Sequence, residues 1–145
     1  MPASKVYVDT NLFIAALVEE SATETVLAWF ESQSAILMAS DWTFVELTSA
    51  LGLKVRRGEI STAQADATHN LFETTMLPAL VVLPVDTAVF ARAQLLMRRY
   101  ELGLRAPDAL HLALCLAEDD CILATADQTL HTAARRLKQP SVRVY

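Results

Sequence analysis

The sequence predicts an α/β fold built on a central, mainly parallel sheet of four or five strands. Three observations carry this. Short apolar runs alternate with longer stretches whose apolar residues recur at helical spacing. Runs such as Ala35-Ile-Leu-Met-Ala39 and Leu80-Val-Val-Leu83 are apolar throughout, as strands covered on both faces are. The segments between the runs are long enough for helical crossovers.

The elements follow in order. Val6, Tyr7 and Val8 favour extended backbone. Asp9-Thr10-Asn11 ends that strand and offers caps for a short helix from Leu12 to Val18. A second helix runs from Ser21 to about Ser32, with Val26, Leu27, Trp29 and Phe30 on its apolar face. Trp29 and Phe30 are read as packing residues rather than as platforms for bases. Ala35 to Ala39 is the second strand. Ser40-Asp41 caps a helix from Trp42 to Arg57, in which Phe44, Leu47, Thr48, Leu51 and Val55 share one face. Arg56-Arg57-Gly58 ends it with positive charge and glycine.

Ser61-Thr-Ala-Gln64 forms a capping box for a helix reaching Met76, which Leu77-Pro78 breaks. Leu80 to Leu83 is the third strand. Asp86-Thr87 caps a helix to about Tyr100 that turns Val89, Phe90, Ala93, Leu96 and Met97 inward, and Glu101 to Arg105 is a loop. Ala106-Pro107-Asp108 opens the next helix, with proline at an early position. That helix, Ala109 to about Glu118, is nearly apolar all round and belongs in the core. Cys121 to Ala124 is the fourth strand, ended by Thr125-Ala-Asp127. Thr129 to Lys138 is a helix, and Ser141 to Tyr145 a final edge strand. No repeat or linker divides the chain, so residues 1–145 are read as a single domain.

The 145 residues suffice for a full core. With 53% apolar and only 20% charged residues, part of the apolar supply is expected to face a partner. A net charge of −5 argues against a general phosphate grip, though not against acids neutralised by bound metal. Met1 to Lys5 has no apolar run of the kind that follows the basic start of a secretory leader, and no run approaches membrane-spanning length. Cys115 and Cys121 are read as reduced thiols of a cytoplasmic protein, without zinc-ligand spacing.

Four acids stand out by position. All strand carboxyl ends of a parallel sheet lie on one edge. Crossover helices run the other way, so their starts share that edge. Asp9, Glu46 and Asp127 follow strands, and Asp108 opens a helix. Each alone is explained by a cap, a helix dipole or a solvated face. Together they repel unless cations hold them. Oxygen-only ligands suit Mg²⁺ or Mn²⁺, and such a site suits phosphodiester hydrolysis.

Val8-Asp9-Thr10-Asn11, Thr43-Phe44-Val45-Glu46-Leu47, Arg105-Ala-Pro-Asp108-Ala-Leu-His111-Leu-Ala113 and Ala124-Thr125-Ala126-Asp127 come in an order and spacing that are familiar. With these pieces the chain resembles the PIN-domain nucleases, and within them the VapC-type toxins of bacterial toxin–antitoxin pairs, over essentially its whole length. The resemblance implies a PIN-like three-layer α/β/α domain and a Mg²⁺-dependent endoribonuclease acting as a toxin. It implies Asp9, Glu46, Asp108 and Asp127 as catalytic metal-site acids. It also implies Asn11 and Thr125 as the hydrogen-bonding residues that hold carboxylates in place. A homodimer is implied, with an antitoxin whose peptide segment blocks the acids. The family often carries one more acid shortly after the last aspartate; Gln128 to His131 supply none.

Arg105 is read evenly as an RNA-phosphate contact or as a partner of a nearby acid. Arg92, Arg98 and Arg99 are read as a solvated helix face, His69 and His131 as surface residues, and His111 as a hydrogen-bonded core histidine rather than a general base. Two alternatives remain. One is a non-catalytic PIN-like scaffold that binds RNA or protein, against which the four intact acids argue. The other is a haloacid-dehalogenase-type phosphatase, which wants a second aspartate where Asn11 stands. No Gly-rich phosphate loop supports a nucleotide cofactor.

Overall fold

The structure, a computed structural model, describes residues 4–145; Met1 to Ala3, part of the stretch read as carrying no leader, lie outside the described residues. Five strands form one sheet: β1 (Lys5–Val8), β2 (Ile36–Ser40), β3 (Leu80–Leu83), β4 (Cys121–Thr125) and β5 (Ser141–Arg143). Their spatial order is β3-β2-β1-β4-β5, and every pairing is parallel, with Val6 opposite Leu37 and Val8 opposite Ala124. The chain winds outward from β1 through β2 to β3, then crosses back to β4 on the other side of β1. Winding therefore reverses between β1 and β4. In open parallel sheets that reversal opens a crevice beyond the strand carboxyl ends.

Strand pleating sorts the core into two layers. Tyr7, Met38 and Leu123 face the layer of α5 (Thr87–Met97), α6 (Ala106–Leu116) and α7 (Gln128–Arg136). Val6, Val8, Ala39 and Ala124 face the layer of α1 (Thr10–Leu17), α2 (Thr23–Glu31), α3 (Asp41–Arg56) and α4 (Thr62–Leu71). The result is the expected three-layer α/β/α arrangement. In α6, the run from Ala109 to Cys115 is buried, as its apolar sequence requires. Trp29 and Phe30 pack as expected: Phe30 stacks on Phe13 at 5.6 Å and meets Trp29 edge-on at 5.0 Å.

Several expectations are corrected. The helix expected to reach Met76 is α-helical only to Leu71. It widens into a π turn over Phe72–Met76, then tightens into a 3-10 turn over Leu77–Ala79. This course keeps Phe72 buried edge-on against Phe13 and Phe44, at 5.4 and 5.9 Å. α5 ends at Met97, before the expected Tyr100. A 3-10 turn at Tyr100–Leu102 follows, closed by Gly103 at φ 67, where a Cβ is disfavoured. α5 packs through Ala93 and Leu96. Phe90 lies on the flank of that arc away from Leu96 and is 50% exposed rather than turned inward. Thr48 is also exposed, so α3 packs through Leu47 and Leu51. His69 and His131 are half-buried, and His131 Nδ1 meets Ser141 Oγ at 2.8 Å. Among the described residues no helix is long and apolar enough to cross a membrane.

Candidate active site

β1 delivers Asp9 to the crevice. Asp9 takes the N-cap position of α1 (φ −66, ψ 143), yet its side chain makes no capping bond. Its N–H donates to the Ala124 carbonyl at 2.9 Å, and its Oδ2 accepts from Thr125 Oγ1 at 2.7 Å. The carboxylate is thus fixed between β1 and β4, with the residue only 4% exposed.

A capping box starts α3: the Ser40 side chain accepts from the Thr43 N–H, and Thr43 Oγ1 accepts from the Ser40 N–H. One turn further on, Glu46 is carried back to the strand ends. Its Oε1 accepts from Thr10 Oγ1 at 2.6 Å and faces His111 Nε2 at 2.5 Å. α6 supplies Asp108 in its first turn and His111 three residues later, on the same face. His111 is fully buried. Its Nε2 stands 3.4 Å from Asp9 Oδ1, and its Nδ1 lies 2.8 Å from the Tyr7 hydroxyl. Asp9, Glu46 and His111 offer atoms within 4.8 Å of one another.

β4 ends in Thr125 and presents Asp127 at the N-cap of α7. Asp127 Oδ1 accepts from the Leu130 N–H at 2.8 Å, and its own N–H donates to Thr125 Oγ1 at 2.9 Å. Thr125 therefore bridges Asp9 and Asp127. Asn11 Oδ1 accepts from the Ala126 N–H at 3.4 Å, so it steadies the turn before Asp127 rather than gripping a carboxylate directly. Arg105 is exposed at the N-cap position of α6.

The electrostatics follow from this crowding. Burial, Asp127 and Asp9 push Asp108 up to about 6, against the opposing charges of Arg105 and His111. Burial, with Glu46 and Asp127, also raises Asp9, although His111 and Thr125 oppose it. Glu46 goes the other way: burial would raise it, but the bond and charge of His111 and the Thr10 hydroxyl hold it below the usual carboxylate range. Burial lowers His111, but Asp9, Glu46 and Asp108 outweigh it and raise the ring.

Sequence reasoning gathered the acids but passed over Thr10 and gave His111 no part in the site. The signal for His111 was present, because a residue three beyond Asp108 shares its helix face. Carboxylate oxygens converging on one crevice, with Asp108 held above its ordinary value by burial and by neighbouring acids, fit a hard divalent cation.

The fold and this cluster define a doubly wound α/β protein with a carboxylate centre at its switch point. The family model described as PIN domain matches residues 6–136, and the chain belongs to that family. Among solved structures, the chain is similar to FitAcB from Neisseria gonorrhoeae at 21% identity and TM-score 0.74, covering 96% of this chain and 97% of that one. It is similar to VapC20 of Mycobacterium tuberculosis, a sarcin–ricin-loop-cleaving toxin, at 20% identity and TM-score 0.69, covering 88% and 94%. It is also similar to a toxin–antitoxin complex from Klebsiella pneumoniae at 17% identity and TM-score 0.65, covering 97% and 98%. No curated protein sequence matches the chain significantly.

Proposed function

We propose that this protein is a metal-dependent endoribonuclease and the toxin of a toxin–antitoxin pair. The observation that carries this reading is the acid cluster in a PIN-family crevice, where burial, and after it the charges of Asp127 and Asp9, push Asp108 up to about 6. Asp9, Glu46, Asp108 and Asp127 are the residues to hold Mg²⁺ or Mn²⁺. What the bound ion supplies is charge neutralisation and Lewis-acid polarisation of a phosphodiester. The chain's own groups set the geometry. Thr125 aims Asp9, Thr10 aims Glu46, and Asp127 gives one oxygen to the Leu130 N–H. In this reading Arg105 meets an RNA phosphate at the rim, which its exposure allows.

The fold likeness to a toxin–antitoxin complex supports an antitoxin partner, and the reading adds, from the family resemblance alone, a homodimer and an antitoxin segment that covers the acids. Purified protein with total RNA and Mg²⁺ should cleave, EDTA should stop it, and Asp9→Asn should abolish it. Undiminished cleavage by Asp9→Asn overturns the reading. Induced expression in bacteria should slow growth, and Asp108→Asn should relieve this; equal toxicity of both points to a binding scaffold.

A further inference from the structure

Behind the acids runs a buried hydrogen-bond chain that gives His111 a defined role. The Tyr7 hydroxyl lies 2.9 Å from Ser40 Oγ and 2.8 Å from His111 Nδ1. The other ring nitrogen, Nε2, faces Glu46 Oε1 at 2.5 Å, Asp9 Oδ1 at 3.4 Å and Thr10 Oγ1 at 3.3 Å. Ionised carboxylates only accept hydrogen bonds. An Nε2 without a proton would set its lone pair against two acceptors, so Nε2 carries the proton. On the other side, Nδ1 faces a hydroxyl that both donates and accepts, so the neutral ring and the imidazolium both leave Nε2 protonated. A nitrogen that carries this proton donates to Glu46, and it could ligate a cation only after that proton had left.

His111 stands close enough to both carboxylates to be taken for a third ligand. We infer instead that it is a positioning residue: it donates through Nε2 to Glu46, aims that carboxylate, and does not ligate metal. What Glu46 is aimed at rests on the nuclease reading. The chain behind the ring shows why the aim is firm. Ser40 is the N-cap of α3, Tyr7 is fully buried in β1, and His111 sits in α6. These three elements carry Glu46, Asp9 and Asp108. One relay therefore ties together the supports of three acids, as outer partners of metal sites do.

Two measurements test this. In metal-free, ¹⁵N-labelled protein, long-range proton–nitrogen NMR reads which ring nitrogen bears the proton, with the His111 signals assigned by their loss in His111→Gln. Expected is a protonated Nε2 in the unmodified protein, retained in Tyr7→Phe while the Nδ1 signal moves. An unprotonated Nε2 overturns the inference. In Mn²⁺-loaded protein, pulsed electron paramagnetic resonance should show no coupling to a directly bound imidazole nitrogen; a coupling that vanishes in His111→Gln overturns it. His111→Leu should lower kcat or Mn²⁺ affinity about 10–100-fold, and His111→Gln, which restores a donor, should recover part of the loss. No recovery, with both variants folded, points to packing alone and counts against positioning. A protein that neither binds Mn²⁺ nor cleaves RNA sinks the nuclease reading, while the NMR result still decides where His111 holds its proton.

Discussion

The two edges of the sheet treat the same kind of residue in opposite ways. At the amino edge, Glu118 Oε2 meets Lys5 Nζ at 3.0 Å, and Asp120 Oδ2 accepts from the Ser4 N–H at 3.1 Å. Hydrogen bonds from Ser4 lower Asp120. Nearby, the Cys115 and Cys121 thiols lie 3.6 Å apart as free cysteines. At the carboxyl edge, burial and like charge raise Asp9 and Asp108 together. An acid placed against a base needs no further explanation. Acids buried against acids cost stability, and a cation bound there would offset the repulsion.

The largest effect expected from this contrast is on cleavage. Asp9→Asn should lower the initial rate on RNA in Mg²⁺ by more than about 100-fold, because outer partners of a metal site alone cost 10–100-fold. Lys5→Met, at the opposite edge, should leave the rate unchanged. Equal losses from the two would erase the distinction between the edges. The next effect is thermal. At about 100 times its dissociation constant, Mg²⁺ stabilises a one-site protein by about 2.7 kcal/mol, or roughly 5–10 °C in melting temperature for a chain of this size. Calorimetry with and without Mg²⁺ should show that shift in the native protein, lose it in Asp108→Asn and keep it in Lys5→Met. A shift that survives Asp108→Asn places the ion elsewhere.

How much of this was legible in the sequence differs between the edges as well. Strand-end position was enough to bring Asp9, Glu46 and Asp127 to one edge, because a parallel sheet leaves them nowhere else to go. The direction of crossover helices did the same for Asp108. Side-chain partnership was not legible. Asp9 reads as a helix cap, and it does occupy the cap position, but its Oδ2 is taken by Thr125 and its Oδ1 faces His111. Asn11 reads as a carboxylate's partner, whereas it steadies a backbone turn. Both outcomes depend on sub-ångström spacing between β1 and β4, which no spacing along the chain encodes. Periodicity likewise placed Phe90 inward, because it marks an apolar face without saying how wide an arc the next layer covers.

A smaller effect comes from pH. Asp108 titrates at about 6 in the folded, metal-free protein, against roughly 3.9 when unfolded. A raised folded value means that the native state holds the proton longer, so the penalty appears as pH rises from about 4 to about 6 and is complete above that. In EDTA at pH 8, Asp108→Asn should therefore stabilise the protein, by about 1–2 kcal/mol after discounting for partial exposure. Below pH 4 the gain should vanish, and in saturating Mg²⁺ it should reverse. Denaturant unfolding at pH 4 and pH 8 reads the difference. A variant less stable at both values makes the carboxylate a structural group.

The smallest effect belongs to the paired edge and tests the contrast from its other side. Glu118 and Lys5 side chains are 24% and 32% exposed, so water and salt screen their attraction. Removing one charge leaves its partner free to be solvated rather than stranded. Glu118→Gln should thus barely move the melting temperature, and high salt should shrink even that change. At the carboxyl edge salt acts differently. Monovalent ions screen the repulsion among the acids, only in part because Asp9 is buried, and to that extent the metal-free protein should gain stability as salt rises. Salt titration of melting temperature should therefore slope upward for the native protein and less steeply for Asp108→Asn, with Glu118→Gln following the native slope. A slope governed by Glu118 instead would mean that the amino-edge pair, not the acid cluster, dominates the protein's electrostatic free energy.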